Sequence, residues 1–257
     1  QFNMAKRIPG KEEFHETLRY FAKQLEITGV KLHLNTNATI ELLENQGFAE
    51  VVVATGVAGR QAGIAGEAHP KVLSYSDCLL RKKPVGKSVA NIGAGGIGFD
   101  VAEYLTHHAT DAPLQSFNPS ILQSFTAEWG VDTEYRNRGA VAKPKPESPA
   151  REIWLLKRSE GKHGAGLGKT TGWIHRASLK MKNVKMLAKV EYVKVDDEGL
   201  HILHEGKPKL LPVDNVVICA GQNSVRDLYD ALLAKGRTVT LIGGAKLAAE
   251  GDAKRAI

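Results

Sequence analysis

The stretch SVANIGAGGIGFDVAEYLTH, residues 88–107, decides the fold. Ser88 to Ile92 reads as a short strand, and Gly95 to His107 as a helix with Ile97, Val101, Ala102 and Leu105 along one apolar stripe. Between them Gly93-Ala94-Gly95-Gly96-Ile97-Gly98 has the spacing G-x-G-x-x-G. That spacing alone is weak evidence in a chain with 26 glycines among 257 residues. The strand before it and the striped helix after it give it meaning. In this setting Gly93 permits a tight turn, Gly95 lets a pyrophosphate approach the backbone, and Gly98 lets the helix close on the strand. The helix start then offers free N–H groups and the positive end of its dipole to the phosphates.

The strand after this helix governs which nicotinamide nucleotide is read. An acidic residue at its end would bind the ribose hydroxyls of NAD. Counting about twenty residues on reaches Asp111, but no strand pattern surrounds it. Thr110 to Ala150 has weak periodicity and half of the 10 prolines, and reads as an insertion. The second strand is therefore displaced to Glu152–Leu156. It ends in Lys157-Arg158-Ser159, with Lys162 close behind. Positive charge in place of the carboxylate favours the 2′-phosphate of NADP.

Other segments alternate in the same way. Glu12 to Ile27 reads as a helix carrying Phe14, Leu18, Phe21 and Leu25, stopped by Gly29. Val30 to Asn35 reads as a strand, and Val51 to Ala54 as a strand buried on both faces. Thr170 to Met181 reads as a helix with Trp173, Ile174 and Ala177 on one side, followed by a strand at Val184 to Ala188. A small antiparallel meander covers Tyr192 to Val195, Leu200 to His204 and Lys209 to Val213. Val216 to Cys219 and Thr238 to Ile242 are further strands. Three apolar strands run into glycine, at Gly56, Gly221 and Gly243-Gly244, which suggests backbone passing close to a second cofactor. Strand–helix alternation predicts an α/β fold with parallel sheets and helices on both faces. We read two Rossmann-like dinucleotide-binding domains, the first incomplete. One comprises residues 1–82 plus 215–257, and the second, residues 83–214, is inserted into it.

Composition narrows the function. The chain is 42% hydrophobic and 25% charged, ordinary for a globular protein, and no apolar run reaches the length of a membrane span. Aromatics are only 6%, and the net charge of +7 is scattered among acidic residues, which disfavours a nucleic-acid groove. Two cysteines, Cys78 and Cys219, sit among apolar neighbours and read as buried free thiols, in keeping with a cytoplasmic location. They form no C-x-x-C pair and cannot by themselves ligate an iron–sulfur cluster. No catalytic or metal-ligating constellation is visible; His175 reads as a packing or surface residue.

Several longer stretches resemble one family. These are Gln1-Phe2-Asn3-Met4-Ala5-Lys6 with Ile8-Pro9-Gly10-Lys11-Glu12, Lys71-Val72-Leu73-Ser74-Tyr75, Gly93 to Asp100, Gly166-Leu167-Gly168-Lys169-Thr170-Thr171-Gly172-Trp173-Ile174-His175-Arg176, and Val213 to Gln222. They closely resemble bacterial NADPH-dependent 2,4-dienoyl-CoA reductase, an enzyme of unsaturated fatty acid breakdown, over essentially the whole chain. The resemblance implies electron flow from NADPH to FAD, then through a 4Fe-4S cluster and FMN to the acyl-CoA. Cluster, FMN and substrate belong to an N-terminal barrel that this chain does not resemble. The chain is expected to be a fragment that is inactive alone and holds FAD poorly. The first strand and glycine loop of the family's FAD domain would precede Gln1. Lys246 also stands where the family has Asp, when Ala245 is aligned with the family's Cys. Alternatives are the cofactor half of a related amine dehydrogenase or enoate reductase, or an NADPH-binding module without turnover.

Overall fold

A computed structural model describes residues 2–108 and 119–249. In chain order the elements are α1 (Phe2–Ala5), α2 (Phe14–Ile27), α3 (Ile40–Asn45), β1 (Val51–Val53), β2 (Val57–Gly59), β3 (Val72–Ser74), α4 (Tyr75–Leu79), β4 (Ser88–Ile92), α5 (Gly96–Thr106), α6 (Pro119–Trp129) and β5 (Glu152–Leu156). There follow α7 (Gly172–Met181), β6 (Lys185–Leu187), β7 (Val190–Asp196), β8 (Gly199–His204), β9 (Lys207–Leu211), β10 (Asn215–Ile218), β11 (Gln222–Ser224), α8 (Asp227–Ala234), β12 (Val239–Leu241) and α9 (Gly243–Lys246). The chain divides into two compact units, residues 1–14 with 62–219, and residues 15–61 with 220–257.

The first unit is built on a five-stranded parallel sheet in the order β3-β10-β4-β5-β6. Its central strands are apolar and closed to solvent: Val89, Ala90, Leu155, Leu156, Val216 and Val217 are all fully buried. This is the pattern of strands covered on both faces. α5 lays Phe99, Val101, Ala102 and Leu105 into the same core, which also takes in Ile8, Tyr75, Cys78 and Leu179. The meander β7-β8-β9 is antiparallel, as its alternating pattern predicts.

The unit boundaries differ from those expected. Strands β3 and β10, assigned from sequence to the domain of residues 1–82 and 215–257, belong to the glycine-loop sheet. The reason is hydrogen bonding at the start of β4. The Asp214 carboxylate accepts the N–H groups of Lys87 (2.7 Å) and Ser88 (2.9 Å), and the Asn215 side-chain oxygen accepts that of Gly86 (2.8 Å). This fixes β10 beside β4 in register. The N-terminal arm belongs to the same unit: Ile8 is buried, Arg7 donates to the Leu79 carbonyl, and Lys11 pairs with Asp100 at 2.6 Å.

The insertion near 110–150 has structure of its own. Its described part, from residue 119 on, contains α6 and a tight turn at Arg138–Ala140. Glu128 of α6 lies 3.5 Å from the Lys182 ammonium, whose side chain is only 4% exposed and which also contacts His107 Nε2 at 2.8 Å. Residues 109–118, where Asp111 falls, are outside the described residues. So are residues 250–257.

In the second unit β1 pairs with β12 in parallel, and β2 with β11 antiparallel. Two expectations fail here. Residues 30–35 form no strand: Val30, Leu32 and Leu34 are 52%, 57% and 71% exposed. Alternation alone does not make a strand, because the backbone N–H and C=O groups need a ladder partner. Nor is β1 buried on both faces, since Val52 is 57% exposed. In the first unit, α7 turns Trp173 and Ile174 to solvent and buries Ser178 and Leu179.

The Asp214 clamp is testable. Bonds from the Ser88 and Lys87 amides hold its carboxyl below the usual carboxylate range. A depressed folded-state pKa stabilises the protein fully above the unfolded value, near 4, and that stabilisation is lost as pH falls through the folded value. Asp214→Ala is expected to cost about 1 kcal/mol at pH 7, modest for charge-assisted bonds because the carboxylate is solvent-exposed. Urea denaturation at neutral and acid pH should show this difference shrinking below pH 4.

Candidate functional site

The glycine motif sits at the carboxyl end of β4. Gly93 turns the chain at φ +114°, a conformation that L side chains rarely adopt, and its N–H donates to the Leu156 carbonyl at 3.0 Å. Gly95 caps α5 in an extended conformation without any side-chain cap, so the first N–H groups of the helix face outward. A Cβ at Gly95 would meet nothing within 4 Å. A Cβ at Gly98 would sit 1.9 Å from the Gly93 carbonyl oxygen and 3.5 Å from Leu155 Cδ1. Backbone thus packs on backbone where Gly98 meets Gly93, while solvent-accessible space lies over Gly95. Ala94 and Ile97 are half-buried beside it, and Gly96 is exposed.

The cations expected to read a phosphate lie on the same edge of the same sheet. Register aligns Ile92 of β4 with Leu156 of β5, and Leu156 with Leu187 of β6. Lys157 and Arg158 follow β5 directly, one strand across from the glycine turn. The Lys157 ammonium donates to the Lys162 carbonyl at 3.1 Å, closing the turn that contains Gly161 at φ +87°. Arg158 and Lys162 are exposed.

Sequence reasoning missed His163, which is buried. Its Nε2 lies 3.1 Å from the carbonyl oxygens of both Leu155 and Leu187. Carbonyls only accept, so Nε2 carries the proton. Burial is the largest influence on its pKa and lowers it. The Lys157 charge acts in the same direction, against the two carbonyl bonds. The next residue, Gly164, donates to the Ala94 carbonyl at 3.3 Å and accepts from Arg176 at 3.1 Å, which brings this turn against the glycine loop. The glycine-rich run from Gly161 to Gly168 was the available signal. His175 is half-buried on α7.

In the second unit Gly56 lies against Gly244, while Gly221 sits at the opposite end of the β2–β11 ribbon, facing Arg60. The Val225 amide donates to Gly56 O (3.0 Å), Arg60 N to Gly221 O (3.0 Å), and Ser224 Oγ to Gly244 O (2.7 Å). Gly56, Gly221 and Gly243 all have positive φ, and a Cβ on Gly244 would press on Val57 at 2.9 Å. Lys246 is exposed after the buried Ala245.

Two other features fall outside this arrangement. A cavity of about 460 Å³, lined by Lys87, Arg151, Lys182 and Lys185 among others, opens at the amino ends of β4, β5 and β6. Ligands of open α/β sheets bind at the carboxyl ends. Cys78 and Cys219 are buried free thiols; burial raises Cys78 to about 12 and Cys219 further.

A parallel sheet with a glycine turn, a helix start and an open approach at its carboxyl edge defines a Rossmann-like dinucleotide-binding protein. The chain belongs to the pyridine nucleotide-disulphide oxidoreductase family, which it matches over residues 12–242. It is an oxidoreductase domain of the type that uses flavin and NAD(P). It is 27% identical over 249 residues to a metal reductase of Desulforamulus reducens, covering 95% of this chain and 35% of that protein. A cinnamate reductase of Clostridium sporogenes is 24% identical over 93% of this chain and 30% of its own length. Among solved structures, a 2-naphthoyl-CoA reductase superposes with a TM-score of 0.75 at 22% identity, over 97% of this chain and 32% of that one. The chain thus spans about a third of the length of these relatives.

The close approach at Gly98 sets an expected outcome. Gly98→Ala should destabilise the first unit by about 1–3 kcal/mol, since two backbones must separate to admit a methyl group. Thermal unfolding followed by circular dichroism would check it; an unchanged midpoint would show that the helix can shift without cost.

Proposed function

We propose that this chain binds NADPH at the Gly93–Gly98 loop and serves as the cofactor half of a reductase resembling 2,4-dienoyl-CoA reductase. The observation that carries this reading is the shared edge. The open space at Gly95 and the cationic turn after β5 lie on neighbouring strand ends of one sheet. The residues fit the nucleotide. Outward N–H groups at the start of α5 suit a pyrophosphate, and cations after β5 suit a 2′-phosphate. NADPH supplies the hydride. The chain's own work is to orient the nucleotide through Gly95 and the first turn of α5, and to neutralise its phosphate. The glycines Gly56, Gly221, Gly243 and Gly244 are proposed to border FAD in the parent enzyme. Passage of electrons onward to an unsaturated acyl-CoA, in fatty acid β-oxidation and in the cytoplasm, is part of the same proposal. So is the placement of FMN, a 4Fe-4S cluster and the acyl-CoA in a barrel outside this chain.

A second reading is favoured by the similarity to the cinnamate reductase: the same cofactor half would serve an enoate reductase. Residues within this chain would act alike in both.

Two measurements test the proposal. Fluorescence titration should give tighter binding of NADPH than of NADH, and Gly95→Val should abolish both while leaving the circular dichroism spectrum unchanged. Equal affinities in the wild type would remove the phosphate assignment, and unchanged binding in Gly95→Val would reduce the motif to a turn. Separately, the 257-residue chain mixed with excess FAD and desalted should come out without stoichiometric flavin absorbance. A yellow one-to-one complex would contradict that expectation.

A further inference from the structure

We propose a division of labour within the cationic turn: Arg158 and Lys162 read the nucleotide's phosphate, whereas Lys157 and His163 hold the turn in the shape that lets them do so. This rests on the reading of the first unit as an NADPH site and assigns to each residue a separate task. The bonds of the turn point to it. Lys157 is tied to its surroundings at three points. Its N–H donates to Leu187 O at the end of β6 (3.0 Å), its carbonyl accepts from Val190 N at the start of β7 (3.1 Å), and its ammonium directs one of its three N–H bonds to Lys162 O (3.1 Å). Lys189 reinforces the far side, with its N–H on Ser159 O and its ammonium on Glu160 at 2.7 Å. His163 closes the base. One Nε2–H shared by the carbonyls of Leu155 and Leu187 spans the carboxyl ends of β5 and β6, where the turn leaves and returns. Arg158 and Lys162 have exposed side chains with no hydrogen-bond or ion-pair partner among the described residues. A guanidinium so placed can grip a phosphate by two parallel N–H bonds.

A turn fixed in this way presents its cations without an ordering cost on binding, which is where selectivity is gained. Loss of the staple should therefore weaken the ligand that has the extra phosphate and spare the one that lacks it.

The experiment measures dissociation constants of the full chain for NADPH and for NADH. Arg158→Gln should lower the NADPH:NADH preference by about tenfold or more, as expected for a lost charge-assisted pair. Lys157→Met, which removes the donor, should lower it by about threefold or more, and Lys157→Gln, which restores a donor without the charge, should recover most of it. His163→Ala should lower the preference while NADH affinity stays within about twofold, and His163→Gln should recover it in part. If Lys157→Gln loses as much as Arg158→Gln, Lys157 is itself a phosphate reader and the division is overturned. Parallel weakening of NADPH and NADH in His163→Ala would overturn its positioning role. Should His163→Ala fail to fold, the Lys157 pair and Arg158→Gln decide the matter. A wild-type chain that binds NADH as well as NADPH would overturn the underlying site as well. A wild-type preference that persists in every variant would overturn this inference and the placement of the 2′-phosphate at the turn after β5, while the Gly93–Gly98 site would stand.

Discussion

The packing of Gly98 on the Gly93 carbonyl is the constraint on which the first unit depends. No side chain fits between these two backbones. Because none is present, α5 can start directly above the carboxyl end of β4 and direct its first amides away from the sheet. The helix then packs Phe99, Val101 and Leu105 into the core along its whole length. The same aligned edge sets the cationic turn one strand away. A single close contact therefore links the core packing of the fold to the placement of the groups proposed to bind the nucleotide.

The parallel sheet was legible in the sequence because its central strands are short, mostly apolar runs, with Asn91 the buried polar residue within β4. Ser88–Ile92, Glu152–Leu156 and Asn215–Ile218 were placed within a residue or so. The allocation of β10 was not legible. Its run Val216-Val217-Ile218 would suit either sheet, and only the Asp214 and Asn215 bonds to residues 86–88 decide between them. The failed strand at 30–35 has the converse lesson. A period-2 pattern specifies which face a strand would bury, but the ladder must come from another segment. The helix at α7 was placed well; the side that carries Trp173 and Ile174 faces solvent, and Ser178 and Leu179 make the buried contact.

Among the proposed site residues, the glycines stand out in the sequence and the histidine does not. A glycine motif declares itself by spacing. His163 acts through two backbone carbonyls, which leave no trace in the side-chain pattern. Lys157 and Arg158 look equivalent in sequence. They differ only once Lys157 is seen bonded across its own turn.

The two thiols carry a consequence of a different kind. The family is described by disulphide chemistry, yet the cysteines of this chain are buried, unlinked and strongly disfavoured as anions. Attack by peroxide or by carbon electrophiles requires that anion, so the folded chain offers such reagents almost no target. Its cysteines behave as small apolar packing residues, and oxidative stress that inactivates thiol-dependent catalysts should pass this domain by.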